Sequence, residues 1–552
     1  MNQVETAREP AAGRTAPGRT GRARAVGPRA VLAVVVALTL LGLGLRLLKL
    51  WDSVYADELS TLYIVKERSL GDAIGLVSSD AEVTPPLSFI ASWLFAKLGS
   101  APELIRLPSL IAGIVTIPLT FVVGRRAMNE VVGMIGAAIV AISPFMIYFS
   151  TEARGYALAI VFLLASTWML LRGVDTGERR WWLGYAVFSA LAMYSHYTAA
   201  FPLIAQLLWV LFAFPGARVP ALSSNFGALL LYLPWAGGAL DDRASPTIKL
   251  VEAFVASDLG QKVSALESWT FGSPYLPAGE FPGTWVVAVG IAGIAGAAIG
   301  AVLGRLRAGR LTPRPATDHG FALLLLLGLS TPALELLLGL LGGPSVFGSR
   351  NLGTASAGAA LMIGAFVSVA GAVWGGIALA TVLTALVAAS AMNLGPGAAK
   401  PDFDGAARWI DARARPGDVV VDVFDLRSTP VPLTPLDTYI ESGRETFRPS
   451  MPVGPPPFLP FISEPPPPAQ LIDQALSSAG NRGRIFVVGL QDRMITSGSG
   501  LTGIEIGPAA DPASEVFELP ASAHTVASTE LPGVQDLDLF LIDGSKPGGH
   551  GP

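Results

Sequence analysis

Residues 30–48 read AVLAVVVALTLLGLGLRLL, nineteen positions with one Arg and no acid, and nine residues later come Asp57 and Glu58. A run of that length can cross the hydrocarbon core as a helix, which needs about 20 apolar residues. No small-residue cleavage site closes a short hydrophobic region here, so the run reads as a retained signal anchor. Similar runs recur at 108–124, 131–146, 156–171, 182–196, 199–213, 219–236, 284–304, 320–342, 352–370 and 372–392, giving eleven expected spans. Composition agrees. Of 552 residues, 51% are hydrophobic and 14% charged, with a mean hydropathy of +0.53. A soluble domain carries about 25% charged residues, so this chain must bury much of its surface in lipid.

Charge orders the chain across the bilayer. Residues 1–29 hold six Arg and two Glu and read as a disordered basic tail on the cytoplasmic side. With that end inside, the inner loops hold ten basic and four acidic residues, and the outer loops about ten basic and fifteen acidic. An odd number of spans then puts residues 396–552 outside, of which 401–552 hold ten basic and twenty acidic residues. The expected layout is a membrane domain over 30–395 with a first outer loop at 49–107 and a second at 237–283. An extracytoplasmic α/β domain follows over 396–552. In it, 404–414 reads as a helix, 418–423, 484–488 and 537–542 as strands, and 430–468, with thirteen Pro, as extended or irregular. Residues 86–98 (PLSFIASWLFAKL) are apolar but short, and read as a juxtamembrane or half-inserted helix of the first loop. Cysteine is absent and His occurs four times, which excludes disulfide scaffolds, thiol nucleophiles and Cys-ligated metals.

Chemistry-bearing residues gather at the outer ends of the spans. Asp57-Glu58 could supply a general base or hold a cation. Arg106 opens a span; Glu152, Arg154 and Tyr156 lie in SPFMIYFSTEARGYAL (143–158); His196 and Tyr197 lie in MYSHYT (193–198); Arg350 precedes another span, and Glu335 lies inside one. Taken singly, each has a plain reading: solvated acids, a snorkelling Arg, an interfacial His. Together they put carboxylates and several Arg on one membrane face. That set suits a phosphate whose apolar tail stays in the bilayer, neutralised by guanidinium groups and presented to a hydroxyl acceptor.

Asp57-Glu58, Pro85-Pro86-Leu87, RLPSLIAGIVTIPLTFVVGRR (106–126), SPFMIYFSTEARGYAL and MYSHYT follow in an order that resembles the GT-C membrane glycosyltransferases. The likeness is to the superfamily of protein O-mannosyltransferases and lipid A aminoarabinose transferases (glycosyltransferase family 39-like). It covers about 30–215 well and 340–365 weakly. The resemblance implies a GT-C fold of about eleven transmembrane helices in the plasma membrane. It also implies inverting transfer of a sugar from a polyprenyl-phosphate donor to a glycan, lipid or protein acceptor. Asp57 would be the base with Glu58 supporting it, and Arg106, Glu152, Arg154, Tyr156, His196, Tyr197 and Arg350 would bind donor or substrate. No cofactor is expected to be required, although Asp57 and Glu58 could hold a divalent cation; no nucleic-acid partner is expected. Thr84 stands where the family has a basic residue before Pro-Pro, and Asn351 where Tyr is commoner. The rival is a multi-pass transporter or lipid flippase with an outer domain, which should show repeats and broken helices meeting at mid-membrane. A non-catalytic envelope scaffold would leave the ordered motifs unexplained.

Overall fold

The computed structural model describes residues 27–79, 82–245, 255–256, 258–274, 276, 278–307, 315–341, 346–422, 434–440, 445–447, 468–479, 484–490, 524–533 and 536–543. The basic tail up to residue 26 therefore lies outside the described residues. Helix α1 (Pro28–Leu47) starts two residues before the expected span, because Pro28 occupies the first turn, where its missing N–H costs nothing. It lies at the rim of the bundle, with Leu32, Leu40 and Leu48 exposed. Its far end is tied inward by buried Arg46, which donates to the carbonyls of Ala141 and Val140, both at 3.2 Å.

The first loop folds into three short helices, α2 (Asp57–Val65), α3 (Leu70–Val77) and α4 (Leu87–Ala96). They share an apolar centre of Val54, Leu59, Leu62, Phe89 and Ile105. The segment 86–98 is thus a ten-residue helix belonging to this subassembly. The bundle continues with α5 (Leu107–Ala127), α6 (Glu130–Ile142), α7 (Pro144–Ser150), α8 (Tyr156–Thr176), α9 (Arg179–Ser195), α10 (Ala200–Ala213) and α11 (Arg218–Tyr232). Helices Ala236–Ala244 and Leu259–Phe271 fold within the second loop, and Thr284–Arg307, Pro315–Leu340, Ser356–Ala370 and Ala372–Asn393 complete the membrane part. All eleven expected spans are helical. Among the described residues, however, seven helices are long and apolar enough to cross a membrane, or eight if α6 and α7 count as one span bent by 64°. With 17, 14 and 15 residues, α9, α10 and α11 fall short of that test.

Helix α5 sits at the centre, flanked by α6 and α8. Its contact with α6 depends on Gly133: a Cβ there would lie 2.4 Å from the carbonyl oxygen of Phe121, so any side chain would push the helices apart. After α6, Ser143 and Pro144 restart the chain as α7. Ser143 caps α7 by accepting from the Met146 N–H at 3.4 Å, and the bend carries Ser150–Ala153 across the end of the bundle.

The C-terminal sheet has strands β1 (Val419–Asp422), β2 (Glu445–Phe447), β3 (Arg484–Leu490), β4 (His524–Leu531) and β5 (Leu537–Asp543), in the order β2-β1-β3-β5-β4. Strands β1, β2 and β3 are parallel; β5 runs antiparallel to both β3 and β4. Helix Phe403–Asp411 covers one face with Phe403, Ala406, Ala407 and Ile410, the i, i+3, i+4, i+7 stripe of an amphipathic helix. Helix Pro468–Ala479 packs on the other face through Ala475. The expectation of extended or irregular chain over 430–468 is corrected only at one short helix. Thr434 caps a helix over Pro435–Tyr439, and Glu445–Phe447 is a strand; most of the remaining Pro-rich stretch lies outside the described residues.

Candidate active site

Ala56 has φ +52°, in the left-handed region that a β-carbon disfavours, and the next two residues are the first two of α2. This turn places both acids at a helix N-terminus, where negative charge is favoured. Consecutive helical residues point about 100° apart, so the two carboxylates face different surroundings. The side chain of Glu58 is 0% exposed and that of Asp57 30% exposed, which decides which of them a substrate can reach.

Glu58 is the hub of a buried cluster. Its oxygens accept from Arg106 Nε at 2.7 Å and Nη2 at 2.5 Å, from the Ala153 N–H at 3.0 Å and from Lys400 Nζ at 2.5 Å. Burial alone would raise this carboxyl; the cations Arg106 and Lys400 outweigh it and hold the group down at about 2. Arg106 also donates to the carbonyls of Leu50 at 2.7 Å, Asp52, and Ser53 at 3.0 Å. All five of its N–H donors are thereby engaged. In this arrangement Arg106 has no donor left over for a phosphate and anchors the first loop.

Asp57 faces the other way. Its Oδ2 accepts from Arg350 Nη1 at 2.8 Å, joining residues 293 positions apart. Arg350 stands immediately before the short turn Asn351–Ala355 that opens helix Ser356–Ala370. Tyr156, at the head of α8, lies with its ring 4.7 Å from that of His196. His196 Nδ1 is 2.8 Å from Thr198 Oγ1, which continues through Thr354 at 3.3 Å to Thr331 at 3.1 Å. The head of α8 can approach the end of α9 this closely because residue 155 is Gly: a Cβ there would lie 2.1 Å from the carbonyl oxygen of Ser195.

Arg154 is buried in a two-point pair with Glu82, at 2.7 and 2.9 Å, and Glu82 also accepts from Ser60 at 3.0 Å. Burial would lower the Arg154 guanidinium, but Glu82 outweighs it and raises the group well above its ordinary value. Glu152 is buried too. Its Oε2 accepts from Lys400 at 2.7 Å, while its Oε1 has no hydrogen-bond partner among the described residues. Burial, reinforced by Glu58, pushes this carboxyl up to about 7 against the pull of Lys400. Tyr197 serves another purpose: its hydroxyl donates to Asp242 and accepts from Trp235 Nε1 at 3.1 Å, which ties α10 to the second loop.

Lys400 and Glu82 escaped the sequence reading. Lys400 is the only Lys or Arg between Arg350 and Arg408, a lone cation just past the last apolar run, and that isolation was the available signal. A narrow cleft lies beside it. Lys49, Asp52, Tyr55, Tyr148, Asn393 and Lys400 provide its polar and aromatic lining, and Ile147, Leu276 and Leu394 its apolar wall. Among the described residues, no three His, Asp or Glu side chains gather as metal ligands. Asp57 and Glu58 diverge, and both oxygens of Glu58 are taken by cations.

Residues 83–236 match the model of a family described as dolichyl-phosphate-mannose-protein mannosyltransferase. No curated protein matches the chain. Among solved structures, the chain is similar to the apo oligosaccharyltransferase of Archaeoglobus fulgidus, at 12% identity and a TM-score of 0.45, over 83% of this chain and 69% of that one. It is similar to apo ArnT from Cupriavidus metallidurans at 13% identity and a TM-score of 0.44, over 93% and 98%. The S. cerevisiae Pmt1–Pmt2 complex gives 17% identity and a TM-score of 0.29, over 38% and 32%. The family match spans 83–236, a stretch that runs from within the first loop through α11 of a multi-helix bundle with a small C-terminal sheet.

Proposed function

We propose that the protein transfers a sugar from a polyprenyl-phosphate donor to a hydroxyl acceptor at the outer face of the plasma membrane. The acceptor is a glycan, lipid or protein. The observation that carries this reading is the Asp57–Arg350 pair, partly open to solvent and set at the membrane end of the bundle. In the resting arrangement each group satisfies the other. An arriving donor phosphate takes Arg350 as its counter-charge, and Asp57, released from the guanidinium, becomes a proton acceptor.

Asp57 then removes the proton of the acceptor hydroxyl as its oxygen bonds to the anomeric carbon. The bond from that carbon to the phosphate oxygen breaks, and its electron pair leaves with the polyprenyl phosphate. This in-line displacement inverts the sugar carbon. Arg350 stabilises the charge developing on the leaving phosphate, a contribution of a few kcal/mol for a preorganised donor. Tyr156 and His196 line the approach, and Arg154, fixed by Glu82, lends positive potential without needing to move. Glu58 and Arg106 position Asp57. No metal enters this mechanism.

The test is Asp57→Asn in membranes supplied with polyprenyl-phosphate sugars. Transfer is expected to fall by about 10²–10⁴, the typical contribution of a general base. Wild-type transfer by this variant would remove Asp57 as the base.

A further inference from the structure

The segment that leaves the last membrane helix turns straight back onto the first loop. Lys49 donates to the carbonyl of Ala398 at 3.2 Å, and the N–H of Asp404 donates to Ser53 Oγ at 3.1 Å. Phe403 stacks on Tyr55 at 6.1 Å. Tyr439 Oη accepts from the Val54 N–H at 2.7 Å and donates to Glu103 at 2.8 Å. These contacts seat the start of the sheet domain against residues 49–58. In their midst Lys400 extends inward, its Nζ 5.5 Å from the Tyr148 ring centroid, and bridges Glu58 and Glu152.

We propose that Lys400 is a positioning residue through which the C-terminal domain locks Glu58 to Glu152 and so holds the first loop with Asp57 facing Arg350. The lock stands on contacts alone; its effect on transfer rests on the proposed role of Asp57.

Two buried carboxylates repel unless a cation stands between them or one takes up a proton. Glu58 keeps its charge because Arg106 pairs with it at two points. Glu152 has no such guanidinium. The charged and titratable groups around it are Glu58 on α2, Arg106 at the head of α5, Tyr156 on α8 and Lys400. Lys400 donates to one of its oxygens, and the other oxygen is unpartnered among the described residues. With Lys400 present, raising the pH through about 7 converts Glu152 into a carboxylate already neutralised at 2.7 Å. Without it, Glu152 remains protonated to higher pH; when it finally ionises, its uncompensated charge faces the carboxylate of Glu58 and the loop is pushed away.

The experiment is hydrogen exchange of residues 52–62 in the purified full chain, at roughly pH 6 and roughly pH 9. It compares wild type, Lys400→Met, Lys400→Arg and Lys400→Met/Glu152→Gln. Wild type and Lys400→Arg should keep their protection at both values. Lys400→Met should lose about tenfold in protection at the higher pH and little at the lower. The double variant should regain the loss, because the second charge is gone. An equal loss at both pH values, no loss, or no rescue by Glu152→Gln would overturn the proposal. If Lys400→Met yields no folded protein, the double variant decides: folded protein supports the lock, and its absence overturns it. Sugar transfer, measured on the same variants with a donor the wild type accepts, separates the two claims. Exchange behaviour as expected with unchanged transfer would leave the lock standing and remove its link to Asp57.

Discussion

Replacing Glu58 by Gln would leave Arg106 and Lys400 buried with one full carboxylate fewer between them. Breaking one side of a buried ion pair typically costs about 3–5 kcal/mol, so Glu58→Gln should markedly lower the thermal midpoint of the purified protein. Asp57→Asn, at a partly exposed position, should not. Observing the reverse order would exchange the roles given to the two acids. Acid should act through the same residue. Glu58 is held at about 2, below its ordinary value of 4.5. Its contribution is therefore complete above about 4.5 and drains away as the pH falls towards 2. A pH series of midpoints for wild type and Glu58→Gln should converge at the acid end. Residues were legible to the extent that their partners were near in sequence or belonged to recurrent motifs. Asp57 and Arg350 meet although they lie 293 positions apart, on the one face where the sequence reading grouped them. Lys400 finds Glu58 and Glu152 at separations of 342 and 248, with no motif around it, and nothing local marks such a meeting. Arg106 and Tyr197 lie inside the quoted motifs, yet their partners, loop carbonyls with Glu58 for the one and Asp242 for the other, are not visible in those motifs.

At the scale of elements, hydropathy marked each of the seven described helices that are long and apolar enough to cross a membrane, because a long apolar run has one stable conformation in lipid. Boundaries set by capping chemistry were harder to see. The helix Pro435–Tyr439 hid in a proline-rich stretch, although Thr434 accepting from the Asp437 N–H, followed by Pro in the first turn, is a normal helix start. The contact of α5 with α6 supplies a prediction at this scale. Gly133→Val would set a branched side chain where a single carbon already lies 2.4 Å from a carbonyl oxygen. Overpacking of this kind typically costs about 1–3 kcal/mol; a loss of yield and midpoint is expected, and neutrality would mean the helices are not in this contact. Glu335, in helix Pro315–Leu340, is buried with neither carboxyl oxygen partnered among the described residues. Glu335→Leu should be neutral or stabilising, since an unpaired buried polar group costs about 1–3 kcal/mol. A clear fall in midpoint would reveal a partner for the carboxyl.

The whole molecule is a membrane bundle with a sheet domain clasped to its first loop, and the clasp is testable by its least catalytic member. Tyr439→Phe removes the hydroxyl shared by Val54 and Glu103 without changing the packing of the ring. It should make residues 49–58 more susceptible to limited proteolysis while leaving the membrane helices protected; unchanged cleavage would mean the clasp holds without it. The domain's existence was readable from β-rich apolar runs, whereas its docking was not, since docking depends on surfaces that no single segment displays. Lys400 also imposes an order of events on synthesis. The ribosome makes Glu58 first and Lys400 342 residues later. At about 5–20 residues per second, Glu58 waits on the order of 20–70 s for its second cation, and Glu152 somewhat less. Throughout that interval Glu58 is held by Arg106 alone and Glu152 lacks the lysine that bridges it to Glu58, so the contact between the two acids closes at one late moment of assembly.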